Sequence, residues 1–221
     1  MIRKLSNKEL KELTALRFDR ISRDERDEMA IPSYRHWNLF IRWLMWRRYE
    51  CIAKLAGFAR DCRVLEFGCG IGVFLPELDR SCGTIYAIDL FPEYARQLSK
   101  SLGLKVRFIG SLSEIADSGL DAVVAADVFE HLDVPELDSV LAILHKKLAD
   151  GGRLIISGPT ENTAYRIGRI LAGFFGKGAY HHRNIRDIQD RIENLGFIPG
   201  RIRRLPFAGV PALFHVVEFT K

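Results

Sequence analysis

Residues 63–78 read RVLEFGCGIGVFLPEL, and this stretch decides the fold. Val64 and Leu65 end a short apolar run of the kind a buried parallel strand requires. Gly68, Gly70 and Gly72 follow directly, and a helix-like stretch then begins. Glycines at such a junction let the backbone turn sharply and let a ligand approach with no Cβ in the way. Glu66 stands just before the turn, where a loop built for phosphate would avoid negative charge. The loop therefore points away from a nucleotide diphosphate and toward a ligand that carries positive charge.

A second apolar run, TIYAIDL at 84–90, ends with Asp89 17 residues beyond Gly72. A carboxylate at the end of the second strand is well placed to accept hydrogen bonds from two ribose hydroxyls. Dinucleotide binding requires G-x-G-x-x-G; here the spacing is G-x-G-x-G, and Val73 holds the place of the third glycine. Glycine loop and ribose acid together predict an adenosine-containing cofactor on a Rossmann-like sheet. A tight turn without a ligand would explain the glycines alone.

The alternation continues downstream. Strands are expected at 63–67, 84–89, 105–109, 121–126 and 152–157, with helices at 72–79, 92–102, 113–117 and 135–148 between them. Gly151–Gly152 closes a helix and admits the fifth strand. Residues 184–195 form an amphipathic helix capped by Asn184 and stopped by Gly196. Two final strands lie near 198–205 and 212–219, with Gly209–Val210–Pro211 as the turn. The fold class is α/β: a Rossmann-like, seven-stranded, mostly parallel sheet with helices on both faces.

The flanking segments carry different patterns. Leu10, Leu13 and Leu16 give a surface helix over 7–19, and the charged stretch 20–33 reads as a connection. Ser33 is expected to cap a helix running to Ala56, which holds all three tryptophans. Trp37, Phe40, Ile41 and Leu44 form one stripe, and Leu39, Trp43 and Trp46 another. Such a helix must bury both faces, or bury one and offer the other to a ligand, partner or membrane. Thr160 is expected to cap a further helix whose stripe is Ile167, Ile170, Leu171, Phe174 and Phe175, flanked by Arg166, Arg169 and Lys177. One domain results: an N-terminal helical extension at 1–60, a cofactor-binding core at 61–159, a lid or acceptor-side insertion at 160–183, and a C-terminal helix and hairpin at 184–221.

Composition bounds the function. Of 221 residues, 48% are hydrophobic and 28% charged, ordinary values for a soluble globular domain. No signal peptide begins the chain, and no run reaches the ~18–20 apolar residues that span a bilayer. Cys51, Cys62, Cys69 and Cys82 form no CxxC pair, so reduced thiols in a cytoplasmic protein are expected. No Cys/His cluster has metal-ligand spacing; the His181–His182 pair lacks partners, and no metal is expected. The net charge of +5 is spread over groups such as Arg42/Arg47/Arg48 and Arg201/Arg203/Arg204. A solvated surface, an acidic substrate or an anionic membrane surface would each fit it.

EFGCGIG followed by AID resembles the class I S-adenosylmethionine-dependent methyltransferases. ADVFEHLD at 126–133 and LADGGRLIISGP at 148–159 extend the likeness to the quinone-biosynthesis and small-molecule subset, in the family's order. The resemblance implies S-adenosyl-L-methionine as cofactor and an antiparallel last strand. It implies that Gly68, Cys69, Gly70 and Gly72 make room for the methionine part and ribose, that Glu66 accepts bonds around the ammonium, and that Asp89 binds the ribose. Leu90 would lie on the adenine. Relatives often carry an acid after the third strand; GSLSE stands there instead, leaving Ser111 and Leu112 to meet the adenine. Asp127 and Val128 would flank the methionine portion. Glu130 and His131, in the turn above the fourth strand, are the catalytic candidates, and a histidine with pKa of about 6.5 takes a proton near neutrality. The expected acceptor is small and hydrophobic or lipid-like, with peripheral membrane contact. Base-amino and protein-glutamine enzymes usually carry an Asn/Asp-Pro-Pro-aromatic motif at the fourth strand; Asp-Val-Phe-Glu here disfavours nucleic acid. Nucleic-acid or protein methylation, or a noncatalytic cofactor-binding subunit, stand as alternatives.

Overall fold

Buried on both faces, a central parallel strand must be apolar throughout; in β1 (Arg63–Phe67) the half-buried Arg63 stands at the start, and Glu66 is the buried exception. The computed structural model describes residues 2–22, 25–26, 29, 31–171 and 183–221. Within them β1 pairs in parallel with β2 (Thr84–Ile88) on one side and β4 (Leu120–Ala126) on the other. β3 (Val106–Phe108) and β5 (Leu148–Pro159) extend the parallel array. β7 (Phe214–Thr220) inserts antiparallel between β5 and β6 (Ile198–Leu205), giving the order β3-β2-β1-β4-β5-β7-β6. The expected seven strands and antiparallel last strand are both present.

Strand alternation splits the interior into two layers. Val64, Val124, Ile155 and Val216 pack beneath the long helix Leu39–Ala56, through its Ile52 and Leu55. Leu65, Val123, Leu154, Ile156 and Val217 face the helices Val134–Lys147 and Ile185–Asn194, through Leu141, Leu144, Ile188 and Ile192. Helix starts follow local chemistry: Ser6 and Glu9 form a capping box, and Asp133 and Asn184 accept from first-turn amides.

Several boundaries differ from the sequence reading. The first helix ends at Ala15 rather than 19, because Leu16 is already extended. A one-turn helix, Ile31–Tyr34, breaks before the long helix, which Asn38 and not Ser33 caps through Phe40 N–H. Ile21 and Ile31, in the stretch read as too charged for a core, are buried. The helix after the glycine loop starts at Leu75, not 72, since Gly72 N–H and Leu75 N–H are spent on turn bonds to Cys69 and Gly72 carbonyls. The short element after β3 is a single 3-10 turn, Leu112–Glu114. Thr160 does not cap a helix: its hydroxyl donates to the Ala212 carbonyl at 2.7 Å, and Asn162 accepts from Tyr165 N–H to begin Thr163–Leu171. Of its expected stripe, Ile167 and Ile170 are half exposed rather than core. Phe174, Phe175, Lys177, His181 and His182 lie outside the described residues. The two tryptophan stripes divide along the long helix rather than around it: Leu44 and Trp46 are buried, while Trp37, Leu39, Phe40 and Trp43 near its start are exposed.

Candidate functional site

The carboxyl ends of β1, β2 and β4 meet at the glycine loop, the edge where open parallel sheets bind ligands. Gly68, Gly70 and Gly72 all have positive φ, at +74°, +51° and +79°. At Gly68 a Cβ would collide with the Val128 side chain, so the loop and the end of β4 touch only because this residue has none. At Gly70 a Cβ would meet nothing within 4 Å, so the space above the loop is open. Asp89 ties the loop to β2: Oδ2 accepts from Gly70 N–H at 2.6 Å and Oδ1 from Phe91 N–H at 2.9 Å. A carboxylate has about four lone-pair sites, so acceptor capacity remains on both oxygens.

Beneath this loop lies a buried polar cluster. Glu66 is inside β1, and its Oε2 has no hydrogen-bond partner among the described residues. Burial, and then the Asp89 charge, push its carboxyl well above the usual range. Glu130, 1% exposed in the 3-10 turn Phe129–His131, has neither oxygen partnered. Burial raises it to about 7, against the opposing pull of Arg48. Arg48 reaches in from the long helix, is 2% exposed, and forms an ion pair with Asp127. Its guanidinium also lies 4.7 Å over the Phe214 ring. Asp127 follows β4 with φ +57°, in the left-handed region that aspartate tolerates better than most residues. Its N–H donates to the Ser157 carbonyl at 2.8 Å, joining β4 to β5. Tyr34 and Tyr49, hydroxyls 3.4 Å apart, close the cluster from the same helical layer.

The structure brings Glu66, the glycines, Asp89, Asp127, Val128 and Glu130 to one edge, but it sorts the remaining expected residues differently. Cys69 is buried, and desolvation with Glu66 and Asp89 nearby holds its thiol protonated. Leu90 is 86% exposed beside the loop. Ser111 caps the turn after β3 and Leu112 is buried under it; Glu114 folds back to accept from Gly110 and Ser111 N–H. That uses the backbone N–H of Ser111, one of the two residues expected to meet the adenine. Glu130 is enclosed rather than facing outward, while His131 is half-buried. Arg48, read as part of a surface group, is the residue the sequence reading missed. The signal was present: Leu44, Arg48, Ile52 and Leu55 share one helical face, the face that packs on the sheet. Among the described residues no group of three His, Cys, Asp or Glu side chains is placed to hold a metal ion.

This sheet order, glycine loop and β2 acid define a class I S-adenosylmethionine-dependent methyltransferase domain. The chain belongs to the methyltransferase-domain family, whose model matches residues 32–198. It is 31% identical over 105 residues to a magnesium-protoporphyrin O-methyltransferase of Rhodobacter capsulatus, covering 45% of this chain and 47% of that one. It is also 31% identical over 134 residues to a ubiquinone biosynthesis O-methyltransferase of Xylella fastidiosa, covering 58% and 50%. The chain thus spans about half the length of these relatives. In fold it resembles the N-methyltransferase NodS of Bradyrhizobium japonicum in complex with S-adenosyl-L-homocysteine, with a TM-score of 0.65 at 17% identity over 96% of this chain and 97% of that one. The magnesium protoporphyrin IX methyltransferase of Synechocystis matches with a TM-score of 0.62 at 17% identity, over 83% and 88%.

The residues present fit the family's cofactor. An unpartnered buried carboxylate calls for a donor or a cation, and the open space at Gly70 gives it room. The cluster also fixes a stability outcome. Replacing Arg48 by Met should cost about 3 kcal/mol, the low end for breaking a buried pair, because Asp127 keeps 24% of its side-chain exposure. The loss, read from urea unfolding at neutral pH, should shrink at acid pH, where the carboxyls are neutral. A loss below about 1 kcal/mol, the range of a surface pair, would show that the ion pair does not secure the fold.

Proposed function

We propose that this domain transfers a methyl group from S-adenosylmethionine to a small, apolar or lipid-like acceptor. The observation that carries the cofactor half is the buried, half-unpartnered Glu66 beside an open glycine loop pinned by Asp89. In this reading Glu66 neutralises the ammonium end, Asp89 accepts from the ribose hydroxyls, and Gly68, Cys69, Gly70 and Gly72 leave room for the chain between. Asp127 and Val128 flank the methionine portion. With the Gly110 and Ser111 amides taken by Glu114, adenine contact falls to Leu90, Leu112 and the Ser111 hydroxyl. The bound cofactor supplies a methyl carbon already activated by positive sulfur. The protein's part is to hold acceptor and donor in line and to exclude water.

An acceptor hydroxyl or amine that must lose its proton needs a base. Glu130 serves that role here: near pH 7 its carboxyl is poised between forms, and Arg48 stabilises the charged one. His131 lies in the same turn and is the second proton-handling group. Phe129 precedes them in the same turn and packs against Phe67, and Phe214 lies under Arg48.

The lipid-like half rests on a second surface. Trp37 is 81% exposed, and Leu39, Phe40, Trp43 and Phe207 are exposed with it. Phe40 stacks on Trp43 at 5.6 Å, and Trp43 lies 5.9 Å from Phe207, so helix and hairpin share one aromatic patch. Patches of this kind mark interaction sites, and tryptophan beside arginine suits a bilayer interface. No helix among the described residues is long and apolar enough to cross a membrane. A cytoplasmic domain that touches the membrane periphery accounts for both facts.

Three measurements check this reading. Asp89→Ala removes two charge-assisted bonds of about 1.5–3 kcal/mol each, so calorimetric affinity for S-adenosylmethionine should fall at least tenfold; unchanged affinity rules out the assignment. With Glu130 as base, kcat/KM should rise with pH through about 7 and then level. Glu130→Gln should remove that inflection and lower the rate by roughly 10²–10⁴; an unchanged profile would pass the role to His131. Trp37→Ser with Phe40→Ser should abolish co-sedimentation with liposomes and leave cofactor affinity intact. If wild-type protein does not sediment, the membrane contact is wrong.

A further inference from the structure

A cavity lies away from the glycine loop. It lies at the other end of the same sheet edge, beyond β5 and β7, with a volume of about 400 Å³. That is within the size range of small-molecule sites. Arg186, Arg204 and His215 line it together with Asn184, Thr160 and Ala212, and no lining residue is acidic.

Most polar groups in the wall are already engaged. Thr160 Oγ1 donates to the Ala212 carbonyl, and Asn184 Oδ1 accepts from Arg186 and Asp187 N–H. The helix end is therefore satisfied by its own cap and offers nothing further. The guanidiniums of Arg186 and Arg204 have no carboxylate within ion-pairing distance among the described residues. His215 is buried, and its Nδ1 stands 3.5 Å from Gln189 Nε2. An amide nitrogen donates, so this contact suits the ring tautomer that carries its proton on Nε2. The cavity thus gathers two guanidiniums and one ring N–H with no negative charge to balance them. Like charges held together without a counterion repel. Burial, then Arg204 and Arg186, push the His215 ring down to about 4, so the ring is a neutral donor near pH 7.

We propose that this cavity is a binding site for the carboxylate or phosphate group of a small molecule, held by Arg186, Arg204 and His215. A planar or tetrahedral oxyanion matches two guanidinium forks and a ring N–H. The site stands independently of the methyl-transfer reading, since it uses none of the residues around Glu66, Asp89 or Glu130.

The test follows the His215 ring resonances by NMR while inorganic phosphate, and separately acetate, is added. Saturable shifts are expected for at least one anion in the wild type, with apparent affinity weakened at least tenfold in the double variant Arg186→Gln, Arg204→Gln. Both arginines are exposed, and S-adenosylhomocysteine binding by the variant is measured alongside. The variant should keep it; loss of cofactor binding in wild type and variant alike would speak against the methyltransferase reading and leave the anion result standing. Vesicles of phosphatidylcholine with and without phosphatidic acid separate the sources. Phosphate response with vesicle binding unchanged in the variant identifies a soluble ligand. Vesicle binding lost in the variant, with no response to free anions, identifies a lipid headgroup. No saturable shift with any anion and no effect of the variant on vesicles overturns the site. By calorimetry, His215→Gln, which keeps a donor, should bind phosphate more tightly than His215→Leu; equal affinity would remove the ring from the site.

Discussion

The buried contact between Arg48 and Asp127 is the constraint on which the rest of the edge depends. Asp127 ends β4 in a left-handed backbone conformation, beside the strand that carries Glu66 and above the turn that carries Glu130. A charge taken out of water is expensive unless paired. Arg48 meets that demand from a helix outside the cofactor-binding core, with its other face over Phe214 of β7. One side chain therefore joins the N-terminal extension, the central sheet and the C-terminal hairpin. The extension is part of the site's construction rather than an appendage to it.

That dependence explains what was legible in the sequence. Periodicity fixes elements whose stability is local or layered, so β1, β2, β4 and the helices Val134–Lys147 and Ile185–Asn194 stood out from their spacing. The glycine loop was legible because its backbone conformation favours residues without side chains, and Asp89 stood out by its place at a strand end, although its bonds to Gly70 and Phe91 N–H were not foreseen. Arg48 was not, because an arginine inside a helix reads as solvated unless its partner is known, and the partner is 79 residues away. The burial of the Trp helix was legible only in part, for a related reason. Amphipathicity describes faces around an axis, whereas here burial also changes along the axis, with the buried residues beginning at Leu44. Thr160 failed as a cap because a tertiary partner, the Ala212 carbonyl, claimed its hydroxyl.

Charge is distributed unevenly between the two ends of the sheet edge. At the glycine loop the unpartnered groups are carboxyls, Glu66 and Glu130. At the far end, beyond β5 and β7, they are cations, Arg186 and Arg204, around a neutral histidine. A ligand with a positive centre and a ligand with a negative group would find opposite ends of one edge, with Phe214 and His215 adjacent in sequence between them. Neighbours in a strand point to opposite faces, so β7 serves both: Phe214 meets Arg48, and His215 lines the cationic cavity.

The two buried carboxyls also set the sign of the protein's pH response. A carboxyl whose folded proton affinity is raised favours the fold while protonated. Its contribution is full below the unfolded pKa of about 4.3 and is lost as pH rises through the folded value, about 7 for Glu130. The fold thus gives up stability across the range in which Glu130 becomes ionised. A cation placed beside Glu66 reverses this at that residue, because it favours the charged form. Binding of such a cation and folding would then be linked through the same carboxylate. Replacing Glu66 by an apolar residue of similar size would relieve the unbound protein of a desolvated acid, and would remove the group that makes a cationic ligand stabilising. The position is therefore one at which stability without ligand and affinity for ligand pull in opposite directions.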